Sequence, residues 1–296
     1  MFQIRQQELL NSIRQAALKN SADGVHILER ENSNSPKNIH QLRVITKQLR
    51  SYWRIIQPLL ENKAVYQAHN QELRDTAKSL SQSRESSVNR KLVNSFRSSV
   101  NKAEELVVLD ALLNLIPIPL DTAQLNNKDS LITCFIEEHK FWQQLEVNDP
   151  KFIDKQVLGL IHTYKKARKL GNNAIEQKLE PEITHMWRKW AKYLFYQLEA
   201  LPKKPDTKKT NNYLSTFECL TDALGKYHDL YVLQNMINDY ESRKLLDVDT
   251  SVIFKLIHKK NKKLSKILSK YNKLVFDKKN IVTVVPGPLI TVANSV

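Results

Sequence analysis

The chain has 296 residues, of which 41% are hydrophobic, and its 46 Lys and Arg outnumber its 31 Asp and Glu, giving a formal net charge of +15. This length fits one large domain or two of about 150 residues. The charge excess favours an anionic partner such as nucleic acid, anionic lipid or a polyphosphate-like polymer. The five glycines do not have the spacing of a dinucleotide fingerprint or a P-loop. Because helical periodicity dominates, we predict an all-α fold.

Cysteine content and hydropathy predict a cytoplasmic location without a membrane span. Cys134 and Cys219 lie in amphipathic stretches and are expected to be small buried residues in a reducing compartment. The first residues are amphipathic, which predicts no leader peptide, and no apolar run reaches the ~18 residues of a transmembrane helix. The apolar segment 281–296, broken by Pro286-Gly287-Pro288, is expected to be a docked or frayed tail.

Periodicity and capping signals predict a chain of helices. A polar linker is expected over residues 20–36, a tight corner over 81–85, and a break between two halves after Pro117. The chain is therefore expected to form a single domain over residues 1–280, with halves at about 1–120 and 128–280. Predicted helices cover about 2–19, 36–61, 63–80, 85–109, 129–145, 151–170, 180–201, 211–224, 229–243 and 250–276.

The second predicted helix carries a basic stripe. At about 100° per residue, its cationic side chains share one face and its apolar side chains the opposite one, and no acidic residue interrupts the charged face. Salt-bridged surface helices usually interleave both signs, so this face is expected to contact an anion. The stripe consists of His40, Arg43, Lys47, Arg50 and Arg54.

The same pattern recurs further along the chain. A shift of 145 residues places His40, Arg43, Lys47 and Leu49 on His185, Arg188, Lys192 and Leu194. Such an offset predicts a duplicated helical bundle, whose two basic stripes face each other. The copies are unequal, because Phe195 stands opposite Arg50 and Glu199 opposite Arg54. The second stripe comprises His185, Arg188, Lys189 and Lys192.

These two stretches resemble the paired motif of the CHAD family, the conserved histidine α-helical domain. The matching segments are IHQLRVITKQLRSYWRII and THMWRKWAKYLFYQLE, and SRESSV and LGKYHDLYVL are similar to two further family elements. The chain departs from the family pattern at Gln48, Ser87, Phe195 and His228. The resemblance spans about residues 5–275. It implies two pseudo-symmetric four-helix bundles around a basic central cavity that binds inorganic polyphosphate, without catalysis, cofactor or metal, and for some members association with polyphosphate granules.

Two further basic surfaces extend the expected site. Arg168 lies in the helix before the second motif, and the last long helix carries a lysine stripe that includes Lys259, Lys263 and Lys266. A lysine stripe on a terminal helix is often only solvated. With these additions, the predicted polyphosphate-binding residues are His40, Arg43, Lys47, Arg50, Arg54, Arg168, His185, Arg188, Lys189, Lys192, Lys259, Lys263 and Lys266.

Two other functions fit parts of the sequence. Nucleic-acid binding fits the net charge, although Trp53, Trp187 and Trp190 lie on apolar faces, where core packing is expected rather than base stacking. A metal-dependent phosphohydrolase of the HD type would use the His228-Asp229 pair, with His185 and His258 nearby. The internal repeat accounts for Asp229 without a metal, because this residue matches Glu85 of the first half.

Overall fold

Every regular element in the described part of the chain is a helix, which confirms the predicted all-α class. The computed structural model describes residues 2–80, 82–118, 127–146, 150–201 and 208–277, so the expected tail at 281–296 lies outside it. Short 3₁₀ turns follow α2 and α4. The helices are α1 (Phe2–Glu29), α2 (Pro36–Ile56), α3 (Lys63–Ser79), α4 (Gln82–Asn94), α5 (Ala103–Leu115), α6 (Lys128–Gln144), α7 (Pro150–Glu176), α8 (Pro181–Glu199), α9 (Lys208–Ser242) and α10 (Ser251–Phe276).

Two predicted interruptions are shorter than expected or absent, because apolar packing continues through them. Residues 20–29 of the expected linker are instead the end of α1, where Ile27 and Leu28 are buried and Gly24 lies so close to Phe135 of α6 that a Cβ would clash. Only residues 30–35 connect α1 to α2. The expected break at residues 225–228 lies inside α9, which is one continuous helix. Tertiary contacts therefore override the local polarity of both segments.

The predicted helix over residues 85–109 is also wrong. The structure has two helices there, because the chain leaves α4 after Asn94 and starts α5 only at Ala103. Phe96 and Val100, in the connection, are buried, and their burial requires the chain to turn. The tight corner expected at residues 81–85 falls mostly within α4, which starts at Gln82.

The packing crosses the predicted division into halves. α6 packs against α1 and α3, whereas α7 to α10 form successive neighbours. One apolar core joins α1, α2, α3 and α6 to α7, α8 and α9. A second core joins α4 and α5 to α9 and α10, through side chains such as Phe96, Leu109, Leu233 and Ile253. The two pseudo-symmetric four-helix bundles, the central cavity and the division at residues 120–128 stay predictions.

A buried carboxylate holds α6 against the first core. Glu138, 1% exposed, accepts hydrogen bonds from the indole nitrogens of Trp53 at 2.8 Å and Trp142 at 3.1 Å. Its other oxygen lies 2.8 Å from Nδ1 of His69 on α3, whose ring stacks on Trp53. The carboxylate thus links three helices by hydrogen bonds, as buried charges require.

The basic helices α2 and α8 begin in the same way. Each has a proline at its first position, Pro36 and Pro181, which lie 145 residues apart. The Ser35 hydroxyl caps α2 by accepting from Asn38 N, and the Glu180 carboxylate caps α8. These caps satisfy amide groups that a helix start leaves without an intrahelical partner.

Two contacts fix α2 against α7 and α8. A Cβ on Gly159 of α7 would lie 2.5 Å from the Ile55 carbonyl of α2, so only glycine permits this approach. The buried amide of Gln197 on α8 donates to the Ser51 carbonyl of α2 at 2.8 Å and to Thr163 Oγ1 of α7 at 3.3 Å. The two basic stripes are consequently held in a fixed register.

The expectations about cysteines and hydropathy have mixed outcomes. Cys134 is buried, as predicted, and burial raises the pKa of its thiol to about 12. The prediction for Cys219 is wrong, because this side chain on α9 is exposed. No helix in the described ranges is long and apolar enough to cross a membrane.

Candidate anion-binding site

The amphipathic patterns of α2 and α8 are confirmed by burial. Leu42, Leu49 and Trp53 of α2 and Trp187 and Leu194 of α8 are fully buried. The tryptophans are therefore core residues, as expected, and offer no open platform for base stacking of the kind that single-strand binders use. Of the residues in the two basic stripes, His40 and His185 are exposed. The others are half-buried, namely Arg43, Lys47, Arg50, Arg54, Arg188, Lys189 and Lys192.

The two basic helices converge at Tyr193 of α8. The guanidinium carbon of Arg54 lies 4.5 Å from the Tyr193 ring centroid and 4.6 Å from that of Trp190. The guanidinium carbon of Arg50 lies 5.9 Å from the same tyrosine ring. Cation–π contacts within about 6 Å are attractive, so α8 provides the aromatic support on which the arginines of α2 rest.

Helix α3 adds a third side to this surface. Arg50 Nε donates to Asn70 Oδ1 at 3.1 Å, and Arg43 Nη1 donates to the Ala77 carbonyl at 2.9 Å. These two of the three arginines of α2 are thus oriented by α3, one by a side chain and one by the main chain. Each hydrogen bond uses one guanidinium nitrogen, and a guanidinium carries five N–H donors in all.

Four cations lie close together where α2, α3 and α8 meet. Burial lowers the pKa of Lys189, and the charges of Arg50, Arg54 and Arg74 lower it further. Burial likewise lowers the pKa of Arg50; the Tyr193 phenol opposes this shift, and Arg54 and Arg74 add to it. Like charges at short range disfavour one another's charged form. We call Arg50, Arg54, Arg74 and Lys189 the cation cluster.

Arg74 is a member of this cluster that the sequence did not place among the predicted binding residues. It lies on α3, one helical turn after Asn70, the residue that orients Arg50. A spacing of four residues puts both side chains on one face of α3. The sequence contained this signal, but the crossing of α3 over α2 was needed to interpret it.

Two imidazoles lie at the start of α8. The rings of His185 and His228 of α9 are 5.1 Å apart, and His228 Nδ1 lies 3.6 Å from Asp229 Oδ1. His185 is exposed at its edge but partly desolvated, and this desolvation lowers its pKa below the ordinary value; the neighbouring His228, Arg188 and Lys189 lower the pKa further. His185 therefore carries little charge at neutral pH in the free protein.

The far end of the α8 stripe is partly neutralised. Lys192 Nζ lies 3.8 Å from Asp222 Oδ1 and over the rings of Phe195 and Tyr196 at 5.6 and 5.9 Å. Burial lowers the pKa of Lys192; Asp222 raises it and Arg188 lowers it. This end of the α8 stripe has acidic neighbours. It thus agrees with the sequence, in which the second copy of the motif lacks basic residues at the positions of Arg50 and Arg54.

The remaining predicted site residues lie elsewhere. Arg168 Nε donates to the carbonyl of Phe276, the last residue of α10, at 3.0 Å. This bond satisfies a carbonyl at the helix end and gives Arg168 a structural contact. Lys259, Lys263 and Lys266 are exposed along α10, and their participation in binding stays a prediction.

The geometry also bears on the hydrolase alternative. Among the described residues, no group of three His, Cys, Asp or Glu side chains is placed to hold a metal ion. His228 and Asp229 make a close pair with His185 beside them, and His258 is an exposed residue of α10. No observation therefore favours the hydrolase over an anion-binding role.

The family model of the CHAD domain matches residues 15–238 of the 296-residue chain. The chain belongs to the CHAD family. This family is known for polyphosphate binding and is in general non-catalytic. No curated protein and no solved structure matches the chain.

Proposed function

We propose that this CHAD protein binds inorganic polyphosphate, without catalysis, on the surface formed by the basic stripes of α2 and α8 and by Arg74 of α3. The observation that carries the proposal is the convergence of Arg50 and Arg54 on Tyr193, with Lys189 beside them. This arrangement brings both predicted stripes to one place. Family membership supports the choice of polyphosphate over other anions.

The electrostatics of the cation cluster suit a polyanion. Assembling these four cations costs free energy, because three of them, Arg50, Arg54 and Lys189, are half-buried and partly desolvated, and because all four repel one another. A chain of phosphates contacting them supplies the opposite charge and accepts their remaining hydrogen bonds. Arginine is well adapted to this role, because its planar fork can donate two parallel hydrogen bonds to one phosphate.

The local geometry gives the donors a defined arrangement. Arg54 Nε is buried and has no hydrogen-bond acceptor among the described residues, while its guanidinium lies against two aromatic rings. Asn70 holds Arg50 from the other side. The arginines are thus pre-oriented before a ligand arrives, which reduces the side-chain entropy that binding must offset.

We expect the α2 side to contribute more of the binding free energy than the α8 side. Arg50 and Arg54 have no basic counterparts in the second copy, and Lys192 already has Asp222 nearby. The proposed surface extends along both helices, to His40, Arg43 and Lys47 on α2 and to His185 and Arg188 on α8. A cytoplasmic location and association with polyphosphate granules remain part of the proposal.

The test is a titration of the full chain with fluorescent polyphosphate of defined length. The double variant Arg54→Gln/Lys189→Gln should bind at least about tenfold more weakly, because two phosphate contacts are lost. The matched control is Lys165→Gln/Lys166→Gln, two exposed lysines of α7, which should bind as the unmodified protein does. Single-stranded DNA is the competitor: if it displaces polyphosphate equally well per charge, or if the double variant binds normally, the proposal is wrong.

A further inference from the structure

An open groove lies between α4, α9 and α10, on the side of the second core. Its volume is about 530 Å³, within the ~300–1,000 Å³ range of small-molecule sites. Each helix contributes residues spaced three or four apart, so each turns one face into the groove. The apolar lining consists of Val88, Leu92, Leu230, Leu264 and Ile267.

The floor of the groove is apolar surface that the described helices leave open. Ile267 is 39% exposed on α10, although its helix packs closely on α9. Val88 and Leu92 of α4 face it and are only half-buried. Apolar area of this kind gains free energy when another apolar group displaces water from it.

Cations surround the floor on all three helices. Lys91 of α4, Lys226 of α9 and Lys263 of α10 are exposed at its edge. Lys260 is fixed in place, because its Nζ donates to Ser95 Oγ at 2.9 Å and lies 4.4 Å from the Phe96 ring centroid. Among the described residues that line the groove, Asp229 is the one acidic residue, and it lies 3.6 Å from His228.

We propose that this groove is a second binding site, which takes the acyl chain of one long-chain carboxylate such as a fatty acid. The chain covers the apolar floor, and the carboxylate lies among the rim lysines. Charge complementarity favours this occupant over a second copy of the protein, which carries a net charge of +15 and would be repelled. The proposal does not rest on polyphosphate binding, because the apolar floor offers no partner to a phosphate chain, although the rim residue Lys263 is also among the predicted polyphosphate-binding residues.

The test uses myristate, titrated calorimetrically into the full-length protein below the concentration at which it forms micelles. We expect saturable binding with one site per chain, and much weaker binding of hexanoate and of myristyl alcohol, which lack the chain length and the charge respectively. Ile267→Gln should weaken myristate binding about tenfold or more, because a polar amide must then be buried against the chain. The matched control is Leu274→Gln, at an exposed leucine of α10 outside the groove.

The charged rim is tested separately. Lys91→Gln/Lys226→Gln should weaken myristate binding and leave myristyl alcohol unaffected, whereas Lys166→Gln on α7 should change neither. Polyphosphate binding should be the same in Ile267→Gln and the unmodified protein, so the two sites can fail independently. The proposal is overturned if myristate does not saturate, or if Ile267→Gln and Leu274→Gln act equally. It is also overturned if the protein binds only anionic vesicles, in a manner that depends on the lysines and not on Ile267.

Discussion

The guanidinium of Arg54 on α2 lies 4.5 Å from the ring centroid of Tyr193 on α8. This contact joins the two copies of the repeated basic motif. It also sets the guanidinium of Arg54, a residue of the proposed phosphate-binding site, against an aromatic face, where a planar cation is held more firmly than a flexible ammonium.

Substitutions of Arg54 should separate the role of charge from that of planarity. Arg54→Gln removes both and should weaken polyphosphate binding by about 5- to 50-fold, as expected for a lost charge-assisted contact. Arg54→Lys keeps the charge and loses the planar fork, so its affinity should be intermediate. Fluorescence anisotropy with one labelled polyphosphate length measures all three. Equal affinities of the lysine variant and the unmodified protein would show that the ring contact contributes nothing.

The salt dependence of binding should report the number of phosphate contacts. Affinity should fall linearly with salt on logarithmic axes, because binding releases condensed counterions. If Arg74 contacts the ligand, Arg74→Gln should lower the slope by about 0.7 to 1. Lys63→Gln, at an exposed position that starts α3, is the control and should leave the slope unchanged. A slope near zero in the unmodified protein would contradict an electrostatic site.

Binding should strengthen in mild acid because of His185. Its pKa lies below the ordinary value of 6.5, so the ring gains a proton only as the pH falls through that lowered pKa, and then adds a charge to the surface. We expect affinity for polyphosphate to rise by roughly 2- to 10-fold between pH 7 and 5. His185→Gln should flatten this rise, whereas His26→Gln, at an exposed residue of α1, should not.

The lowered pKa of His185 also makes the free protein less stable in mild acid, although protonation of the same ring should make ligand binding stronger there. Since protonation of His185 is less favourable in the folded than in the unfolded state, this residue reduces stability as the pH falls below about 6.5. A bound polyanion should remove that loss, because it favours the charged ring. Thermal unfolding at pH 5 and 7, with and without polyphosphate, measures the difference; a ligand-induced stabilisation larger at pH 7 than at pH 5 would contradict the assignment.

Stability should depend strongly on Glu138. Glu138→Leu leaves the indole N–H groups of Trp53 and Trp142 without their acceptor, and each buried orphan donor costs about 1–3 kcal/mol. The free energy of unfolding should therefore fall by about 2–4 kcal/mol, measured by urea unfolding followed through tryptophan fluorescence. Glu137→Gln, at the neighbouring exposed pair with Lys140, is the control and should change stability by less than about 0.5 kcal/mol.

The sequence predicted best what depends on local chemistry. The starts of α2 and α8 follow from Ser35, Pro36 and Pro181, because capping and the fixed φ of proline act within a few residues. The buried face of α2 follows from its apolar spacing. The family also followed from local motifs, and the comparison of the chain with the family model confirms it.

What the sequence predicted poorly depends on distant partners. α1 extends to Glu29 because residues such as Ile27 become buried, and α4 ends at Asn94 because Phe96 turns into a core made with α9 and α10. The same holds for the site: the contact of Arg168 with the Phe276 carbonyl depends on where α10 ends, and the participation of Arg168 in binding stays a prediction. Arg74 joined the cation cluster only once α3 had a definite crossing over α2.

The packing of α6 on α1 and of α4 and α5 on α9 and α10 has a consequence for synthesis on the ribosome. The first core includes side chains of α7, α8 and α9, so it cannot close until those helices have emerged, and the α4–α5 pair must wait for α9 and α10. During that interval Phe96, Leu109 and Leu112 are exposed to chaperones and to other nascent chains. We therefore expect the protein to complete its folding only after α10 has left the ribosome, rather than half by half as it is made.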